Sequence, residues 1–319
     1  MPLLCAMSNK DAYRFFCQTA EDLPIFAQDW YLDAVCLDGN WDVVVVKKNE
    51  QIVATIPYFF KQKWGFTYST IPLHTRHLGP YLVPERRGLK NEPSLYTALI
   101  EQLPKTAHFI QDFAPTVTNW LPFYWKNFKQ TVRYTYILEL ENMDAVFQNM
   151  NRRIRRNIEK AEKIITISHD ISLEDFHTIN KMSFTRQDIS IYYPLESLQK
   201  LDAVLIEKKR RQTFVARDVD GNIHAVGYLV WDKTRSYALL GGINSEFRGS
   251  NAITLLIWKM ICYTKEVLNL PIFDFAGSML PQIEPSRRQF GGKQEQYFRV
   301  WKYGSSVFKM IDEVKAFLK

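Results

Sequence analysis

The order in which helix-like and strand-like segments follow one another in the second half of the chain constrains its fold most strongly. Apolar residues three and four apart predict helices over residues 170–186 and 195–211. A turn containing Gly221 then separates two runs rich in Val, Ile, Tyr and Phe, which predicts a β-hairpin. A third strand over residues 236–240 ends in a pair of glycines, and a polar loop leads to a long helix over residues 251–268.

The chain continues with the strand IFDFAG, a short helical segment that ends at Arg288, and a last strand over residues 295–301. The complete order is helix, helix, three strands, loop, long helix, strand, short helix and strand. This order resembles the acetyltransferase fold of the GNAT superfamily element by element. In that order the third strand delivers the chain to a loop whose free N–H groups, with the positive end of the long helix, can hold a pyrophosphate.

The first half of the chain repeats the later part of this order more loosely. It contains a hairpin with a turn at Asn49 and Glu50, two further strands, a helix over residues 93–103 and the strand HFIQDF. The short segment NWLPFYW and the strand RYTYILEL follow. The sequence therefore predicts an α/β (α+β) protein with a tandem, duplicated acyl-CoA N-acyltransferase (GNAT-like) fold, in which helices flank mixed central sheets.

The length of 319 residues also favours two domains over one. We predict an N-terminal GNAT-like domain over residues 1–142 and a C-terminal GNAT-like domain over residues 143–304. The second domain is expected to open with a basic linker helix over residues 143–163. Residues 305–319 carry an apolar stripe at helical spacing, so we expect a helix that packs back on the N-terminal domain.

The chain carries 41 Lys and Arg against 34 Asp and Glu, and the resulting net charge of +7 favours anionic partners. The most basic stretch is the linker helix. Four of its residues are candidates for contact with the phosphates of a tRNA acceptor arm or another polyanion: Arg152, Arg153, Arg155 and Arg156. The alternative is that this charge run is a solvated helix face.

The four cysteines are scattered without the spacing of a zinc site or a disulfide framework, which indicates a reducing compartment. The first residues lack the pattern of a signal peptide, and no run of about 18 apolar residues occurs, so we expect no stable membrane insertion and a cytoplasmic location. His74 and His77 have no further ligands at supportive spacing, and we predict no metal site.

Several motifs resemble those of the Fem aminoacyltransferases. The segment FDFAGSMLPQIEPSRRQFGGKQEQYF, residues 273–298, is similar to their C-terminal signature, in which a basic residue precedes a Phe-Gly pair and an aromatic residue follows. The pieces RHLGPYL, NRRIRRNIEKAEK and YALLGGINS are similar to the same group and occur in the same order. The resemblance covers essentially the whole chain. It implies two GNAT-like domains and the transfer of an acyl or aminoacyl group to an amine.

Two positions depart from the expected patterns. Where the Fem family has Lys before the Phe-Gly pair, this chain has Arg287 or, if the alignment is shifted by one residue, Arg288. An arginine keeps the positive charge of the lysine but changes the geometry of its hydrogen bonds. Residues 248–252, RGSNA, do not match the Gln/Arg-x-x-Gly-x-Gly/Ala loop of ordinary acetyl-CoA enzymes. This motif is also degenerate in Fem-like proteins.

Acyl transfer to an amine needs an unprotonated amine, a carbonyl held close to it, and stabilisation of the oxyanion that forms, but no nucleophilic side chain. We predict that the backbone of Gly241 and the charge implied for Arg287 stabilise the oxyanion, and that Asp274 is the base. The alternatives stay open: a plain strand-ending turn for the glycines, a solvated helix residue for Arg287, and a carboxylate that only braces local backbone for Asp274.

The donor is expected beside the third strand and the loop that follows it. The candidate donor-binding residues are Leu240, Gly242, Asn244, Ser250, Asn251 and Arg288, and Ser250 or Asn251 is also the candidate N-cap of the long helix. Arg186 and Tyr193 lie where Fem-like proteins hold the phosphates of the acceptor, although a structural ion pair is an equal explanation for the arginine. The aromatic segment over residues 119–128 either lines a groove or belongs to the core.

Three functions are compatible with these features. The first is a Fem-like N-acyltransferase that uses aminoacyl-tRNA or another acyl donor on a cell-envelope precursor or a small, nucleotide-linked amine. The second is a GNAT enzyme that uses acyl-CoA on an unrelated amine, and the third is a catalytically silent binding protein that kept the fold. We expect no tightly bound cofactor; either enzyme would use acyl-CoA or aminoacyl-tRNA as a co-substrate, whereas the silent protein would bind neither donor.

Overall fold

The computed structural model describes residues 7–185, 191, 193–277 and 279–317, and the chain divides into two compact units. The first unit comprises Met1–Arg133 and Gln296–Lys319, and the second comprises Tyr134–Glu295. No helix in the described part of the chain is both long enough and apolar enough to cross a membrane.

The elements from Asn40 onward follow the order that the sequence predicts, whereas the helices Asn9–Thr19 and Asp29–Val35 and the short strand Thr166–Ser168 were not predicted. The helices are α1 (Asn9–Thr19), α2 (Asp29–Val35), α3 (Glu92–Gln102), α4 (Leu121–Trp125), α5 (Met143–Asn149), α6 (Arg152–Ala161), α7 (Leu173–Thr185), α8 (Leu195–Glu207), α9 (Ala252–Glu266), α10 (Glu284–Gln289) and α11 (Ser306–Phe317). The strands are β1 (Asn40–Lys48), β2 (Gln51–Lys63), β3 (Phe66–Thr70), β4 (Tyr81–Leu82), β5 (His108–Asp112), β6 (Lys129–Glu139), β7 (Thr166–Ser168), β8 (Arg211–Arg217), β9 (Ile223–Trp231), β10 (Arg235–Ile243), β11 (Ile272–Asp274) and β12 (Lys293–Tyr303).

The first unit is built on an antiparallel meander. Strands β1, β2 and β3 pair in sequence order, and β4 pairs with β2. Asn49 and Glu50 both have positive φ, as a tight hairpin turn between right-twisted strands requires. Helix α3 buries Leu95 and Leu99 against Ile56 and other apolar side chains of the sheet. The later part of β12 pairs antiparallel with β5.

The second unit contains the sheet order β6-β11-β10-β9-β8-β7. Within it β10 and β11 are parallel, whereas β11–β6, β10–β9, β9–β8 and β8–β7 are antiparallel. Strand β9 is almost fully buried along its length. The core of this unit packs Ile154 and Ile158 of α6 and Leu256 and Met260 of α9 with Leu229 of β9.

The compact units do not follow the sequence order of the two repeats. Strand β6 closes the first repeat but ends in the second unit, where it pairs with β11. Strand β12 closes the second repeat but ends in the first unit, where it pairs with β5. The predicted domains over residues 1–142 and 143–304 stay a prediction. In the C-terminal helix, the ring of Phe308 lies 5.6 Å from that of Phe66 on β3.

The basic linker is two helices, where the sequence predicted one helix over residues 143–163. Met150 adopts an extended conformation (φ −64°, ψ 146°) and ends α5. The side chain of Asn151 then accepts a hydrogen bond of 2.8 Å from Arg153 N and so starts α6. The prediction of a single helix was wrong because an asparagine among arginines was not recognised as an N-cap.

Candidate active site

Two parallel strands of the second unit separate in the middle of its sheet. Strands β10 and β11 are in register only from Arg235–Ile272 to Tyr237–Asp274. Beyond these pairs β10 continues to Ile243, whereas the chain turns away from β11 through Ala276 and Gly277, which both have positive φ. The edge of β10 beyond Tyr237 therefore faces an opening that a ligand can enter.

The backbone of Gly241 points into this opening. Asn244 N donates to His224 O of the β9 side at 2.9 Å, and in an antiparallel ladder the residues that bond to the partner strand alternate with residues that face away from it. Gly241 and Ile243 are the residues that face away. Gly241 is also exposed, so its N–H group is placed to donate to a ligand carbonyl.

Helix α7 occupies part of the same edge. The amide of Asn180 donates to Gly241 O, and Ile243 N donates to the hydroxyl of Ser183 at 2.8 Å. Gly242 permits this close approach, since a Cβ atom there would lie 2.6 Å from Asn180 Cα. Gly242 and the part of α7 that carries Asn180 and Ser183 therefore define one wall of the opening. Leu240, two residues before Gly242, is buried.

Tyr193 is connected to this wall rather than to solvent. Its side chain is buried. Its hydroxyl donates to the side-chain oxygen Oδ1 of Asn180, and the side-chain nitrogen Nδ2 of Asn180 donates to Gly241 O. These two hydrogen bonds, from Tyr193 to Asn180 and from Asn180 to Gly241, fix the position of the glycine. Arg186, the other predicted acceptor-binding residue, lies outside the described residues.

The loop after β10 is held by its own polar side chains. Asn244 accepts from Glu246 N and donates to Ile223 O, both at 3.1 Å. Ser250 donates to Phe247 O at 2.8 Å and accepts from Ala252 N at 3.3 Å, so it caps α9, as the sequence predicted for Ser250 or Asn251. Asn251 adopts a left-handed conformation (φ 59°) and its side chain makes no cap hydrogen bond. A donor at this loop would therefore meet mainly backbone N–H groups.

A stacked pair that the sequence did not indicate braces the loop. The ring of His224 lies 4.2 Å from that of Phe247 and nearly parallel to it. His224 Nε2 lies 3.0 Å from a carboxylate oxygen of Asp218. A hydrogen bond from the Asn222 side chain is the largest influence on Asp218, and with His224 it lowers the pKa of this carboxyl to about 2.

Asp274 lies at the point where the strands separate and is fully buried. One carboxylate oxygen accepts from Thr135 Oγ1 at 2.5 Å and from Ala276 N at 2.8 Å, and the other lies 3.4 Å from Arg235 Nη1. Arg235 also pairs with Glu295 at 2.8 Å. Burial raises the pKa of Asp274, and the charge of Arg235 and the two hydrogen bonds oppose this shift. The carboxylate thus braces the strand end, the alternative that the sequence left open, and it also carries a raised pKa.

Of the two candidates for the basic residue before the Phe-Gly pair, Arg287 packs on a residue next to the end of β11. Its guanidinium carbon lies 5.2 Å from the centre of the Phe275 ring, directly after Asp274. Arg288 is 66% exposed and pairs with Glu284 at 3.1 Å on the outer side of α10. Phe290 is buried against Phe275, with 5.8 Å between ring centres. The structure therefore favours Arg287 over Arg288 as the residue that bears on the strand separation.

Comparison with known proteins gives a match over the part of the chain that holds this opening. Residues 148–298 match the model of the acetyltransferase (GNAT) domain family. The matched residues make up slightly less than half of the chain. No protein with curated annotation matches the sequence.

Three solved structures resemble nearly the whole chain. FemX is 13% identical with a TM-score of 0.71, over 91% of this chain and 96% of its own. A tandem GNAT protein from the clavulanic acid biosynthesis pathway is 11% identical with a TM-score of 0.54, over 93% and 94% of the two chains. The C-terminal domain of a putative lysylphosphatidylglycerol synthetase from Agrobacterium fabrum is 10% identical with a TM-score of 0.55, over 92% of each chain. The predicted tandem GNAT fold and the acyltransferase class are confirmed.

Helices α6 and α10 are far apart in sequence but meet at their ends. Asn151 N donates to Gln289 O at 2.9 Å, so the start of α6 lies beside the end of α10. Arg152, Arg153 and Arg156 are exposed, whereas Arg155 is partly buried and donates to Gln148 O at 3.2 Å. The exposed arginines of α6 thus lie near the helix that carries Arg287.

Two further groups named from the sequence lie in the first unit, outside the GNAT match. His77 Nδ1 lies 3.1 Å from Phe113 O, and burial, followed by the charge of Arg76, lowers the pKa of His74 to about 3. In the aromatic segment over residues 119–128, Phe123 and Phe128 belong to the core, whereas Tyr124 and Trp125 are exposed.

Proposed function

We propose that this protein is a Fem-like N-acyltransferase that joins an acyl or aminoacyl group to an amine at the opening between β10 and β11. One observation carries the proposal: the N–H of Gly241 faces away from β9 on the strand that separates from β11, and the guanidinium of Arg287 packs on the ring of Phe275, the residue that follows the end of β11. These groups are donors of the kind that stabilises an oxyanion.

In this mechanism the amine attacks the carbonyl carbon of the donor directly, and the acyl–donor bond breaks as the tetrahedral intermediate collapses. Gly241 N–H and the positive charge of Arg287 stabilise the oxyanion. Asp274, which is fully buried and whose pKa is raised by burial, takes up through a water the proton that the amine loses, and a proton passes to the departing thiolate or alkoxide of the donor. No covalent enzyme intermediate is required.

The donor lies along β10 and the loop before α9, against Leu240 and Gly242 and the N–H groups of residues 244–251. Because Asn244 and Ser250 already bond the loop, their part is to shape it rather than to contact the donor. Arg288 would reach only the outer part of the donor, since it points to solvent. Arg186 and Tyr193 are the proposed acceptor side, with Tyr193 acting through Asn180.

An aminoacyl-tRNA donor and a cell-envelope acceptor form the finer part of the proposal. The names of FemX and of the lysylphosphatidylglycerol synthetase motivate it, together with the exposed Arg152, Arg153 and Arg156 near α10. Arginines on one surface bind a polyanion through its phosphates, with an affinity that falls steeply with salt. If tRNA binds, replacing these three arginines with Gln flattens the salt dependence; retention of tRNA that does not vary with salt would remove this part of the proposal.

Acyl-CoA is the alternative donor, and the match of residues 148–298 to an acetyltransferase domain favours it. The tandem GNAT relative from the clavulanic acid pathway is also described with reference to AcCoA. The third candidate function is that of a catalytically inactive protein that keeps the fold and only binds a ligand. The proposal also includes the two domains predicted from the sequence and a cytoplasmic location, which the free thiols of Cys17, Cys36 and Cys262 support.

A thermal-shift panel separates these functions. The purified protein is heated with CoA, acetyl-CoA, aminoacyl-tRNA and UDP-linked cell-wall precursors, because a ligand that binds the folded state raises the unfolding midpoint with concentration. A shift with tRNA or a UDP-linked precursor supports the Fem-like function, and a shift with CoA alone supports the second. No shift with any donor would leave only the binding protein.

A further inference from the structure

The end of β5 in the first unit corresponds to the candidate active site in the second. Strand β11 follows the long helix α9, ends at Asp274 and precedes the short helix α10. Strand β5 likewise follows α3, ends at Asp112 and precedes the short helix α4. A duplicated fold thus has a second strand end at which a ligand can be held, and its side chains decide what binds there.

A buried tyrosine and an arginine meet at this second strand end. Arg133 Nε on β6 donates to the hydroxyl of Tyr297 on β12 at 3.3 Å. The ring of His77 packs edge-on against Tyr297 with 4.7 Å between centres. Leu78 N donates to Asp112 O at 2.9 Å, which fixes the segment that carries Arg76 and His77 at the end of β5.

Arg133 has no counter-charge among the residues that the structure describes. Asp112 accepts two hydrogen bonds from Arg299, at 2.6 and 2.7 Å, so its negative charge is neutralised there. Arg133 forms no ion pair with any described residue. Arg76 adds a second positive charge close to the phenol: burial and Asp112 raise the pKa of Tyr297, and the charges of Arg133 and Arg76 oppose them.

A partly buried guanidinium is costly unless an anion or strong acceptors accompany it. Guanidinium N–H groups and a phenol O–H together form a donor set that suits the oxygens of a carboxylate or a phosphate. The ring of Tyr297 is held by His77, so its hydroxyl is already in position before a ligand arrives.

We propose that Arg133 and Tyr297 form a binding site for an oxyanion, the carboxylate or phosphate group of a small molecule. The residues of this site belong to the first unit, whereas Gly241 and Arg287 belong to the second, and the inference goes beyond the proposed acyl transfer. It does not depend on which donor the GNAT domain uses, because its test is binding and not catalysis.

The test is a titration of the full chain with potassium phosphate and, separately, potassium acetate, with potassium chloride keeping the ionic strength constant. The unfolding midpoint and the heat of binding are measured for the wild type and for Arg133→Gln, Tyr297→Phe and Lys90→Gln. Lys90 is an exposed residue of the same unit and controls for the loss of one positive charge. Unfolding without ligand confirms that each variant folds.

We expect saturable binding that Arg133→Gln weakens by about tenfold or more, as the loss of a charge-assisted hydrogen bond implies. Tyr297→Phe keeps the ring packed on His77 and is expected to weaken binding in the same direction, so it tests the site even if Arg133→Gln does not fold. Lys90→Gln leaves binding unchanged. Tighter binding of phosphate assigns a phosphate ligand, and tighter binding of acetate assigns a carboxylate. No saturation with either anion, or equal affinity in wild type and both site variants, would overturn the proposal.

Discussion

Arg287 lies over the face of Phe275, with its guanidinium carbon 5.2 Å from the ring centre, whereas its neighbour Arg288 points to solvent. Phe275 follows directly on Asp274, the last residue of β11 before the strands separate. The aromatic ring thus holds one of two adjacent arginines next to the end of β11. The two residues therefore form a matched pair for mutation.

Arg287→Ala should lower kcat/KM for acyl transfer by roughly 100-fold, since this is the usual loss when one oxyanion-stabilising group is removed. Arg288→Ala removes the same charge from the outer side of α10 and should change kcat/KM only slightly. Steady-state kinetics of both variants measure the difference. Equal losses in the two variants would show that only the net charge of α10 matters.

Gly242→Ala should reduce the free energy of unfolding by about 1–3 kcal/mol, the usual range for forcing an extra methyl into a packed site. The new Cβ would lie 2.6–2.9 Å from backbone atoms of Ile179 and Asn180, which cannot move without shifting α7. Gly249→Ala is the control, because nothing lies within 4 Å of its Cβ position. Denaturant unfolding of both variants gives the comparison, and equal stability would contradict the close packing of α7 on β10.

Tyr193→Phe should cost about 1 kcal/mol of stability, because the buried oxygen of Asn180 loses its donor. Because Asn180 also holds Gly241, we expect kcat to fall as well, while the KM for the donor stays nearly constant. Unfolding and kinetic measurements on one preparation separate the two effects. A variant with unchanged stability would show that the hydroxyl does not brace Asn180.

Asp218 should contribute to stability in a manner that depends on pH. Its pKa in the folded protein is about 2, below the ordinary value of 3.8, so its contribution is present above the unfolded pKa and is lost as pH falls through about 2. The difference in unfolding free energy between wild type and Asp218→Asn should be constant above about pH 5 and shrink in stronger acid. Asp220→Asn, an exposed change in the same turn, should show no such dependence. A pH-independent difference for Asp218→Asn would contradict the lowered pKa.

The sequence predicted the elements of the fold well because the apolar period is local information. The strands β8, β9 and β10 and the helix α9 lie where the alternation of apolar residues and the glycine turns indicated. The break in the linker helix was missed because Asn151, which lies among arginines, was not recognised as the N-cap of α6; its N–H group also bonds Gln289 O of α10, a contact that the local sequence does not indicate.

The candidate site was predicted less completely, since its contacts join residues far apart in sequence. Nothing near Asn180 or Ser183 indicated that they bond the edge of β10, and nothing near Arg133 indicated Tyr297. The choice between Arg287 and Arg288 depends on which side chain meets Phe275, and only the fold determines that. The charge pattern of the sequence indicated the right segments, but it did not indicate which of their side chains come together in the fold.

The most direct test of acyl transfer is the mass of the product. The protein is incubated with acetyl-CoA or aminoacyl-tRNA and with amine acceptors, including UDP-linked cell-wall precursors, and the acceptors are analysed by mass spectrometry with Arg287→Ala in parallel. Transfer at the opening between β10 and β11 predicts an acceptor heavier by one acyl or aminoacyl group with the wild type and far less of it with Arg287→Ala. Donor binding without any acylated acceptor, or equal product from the variant, would contradict it.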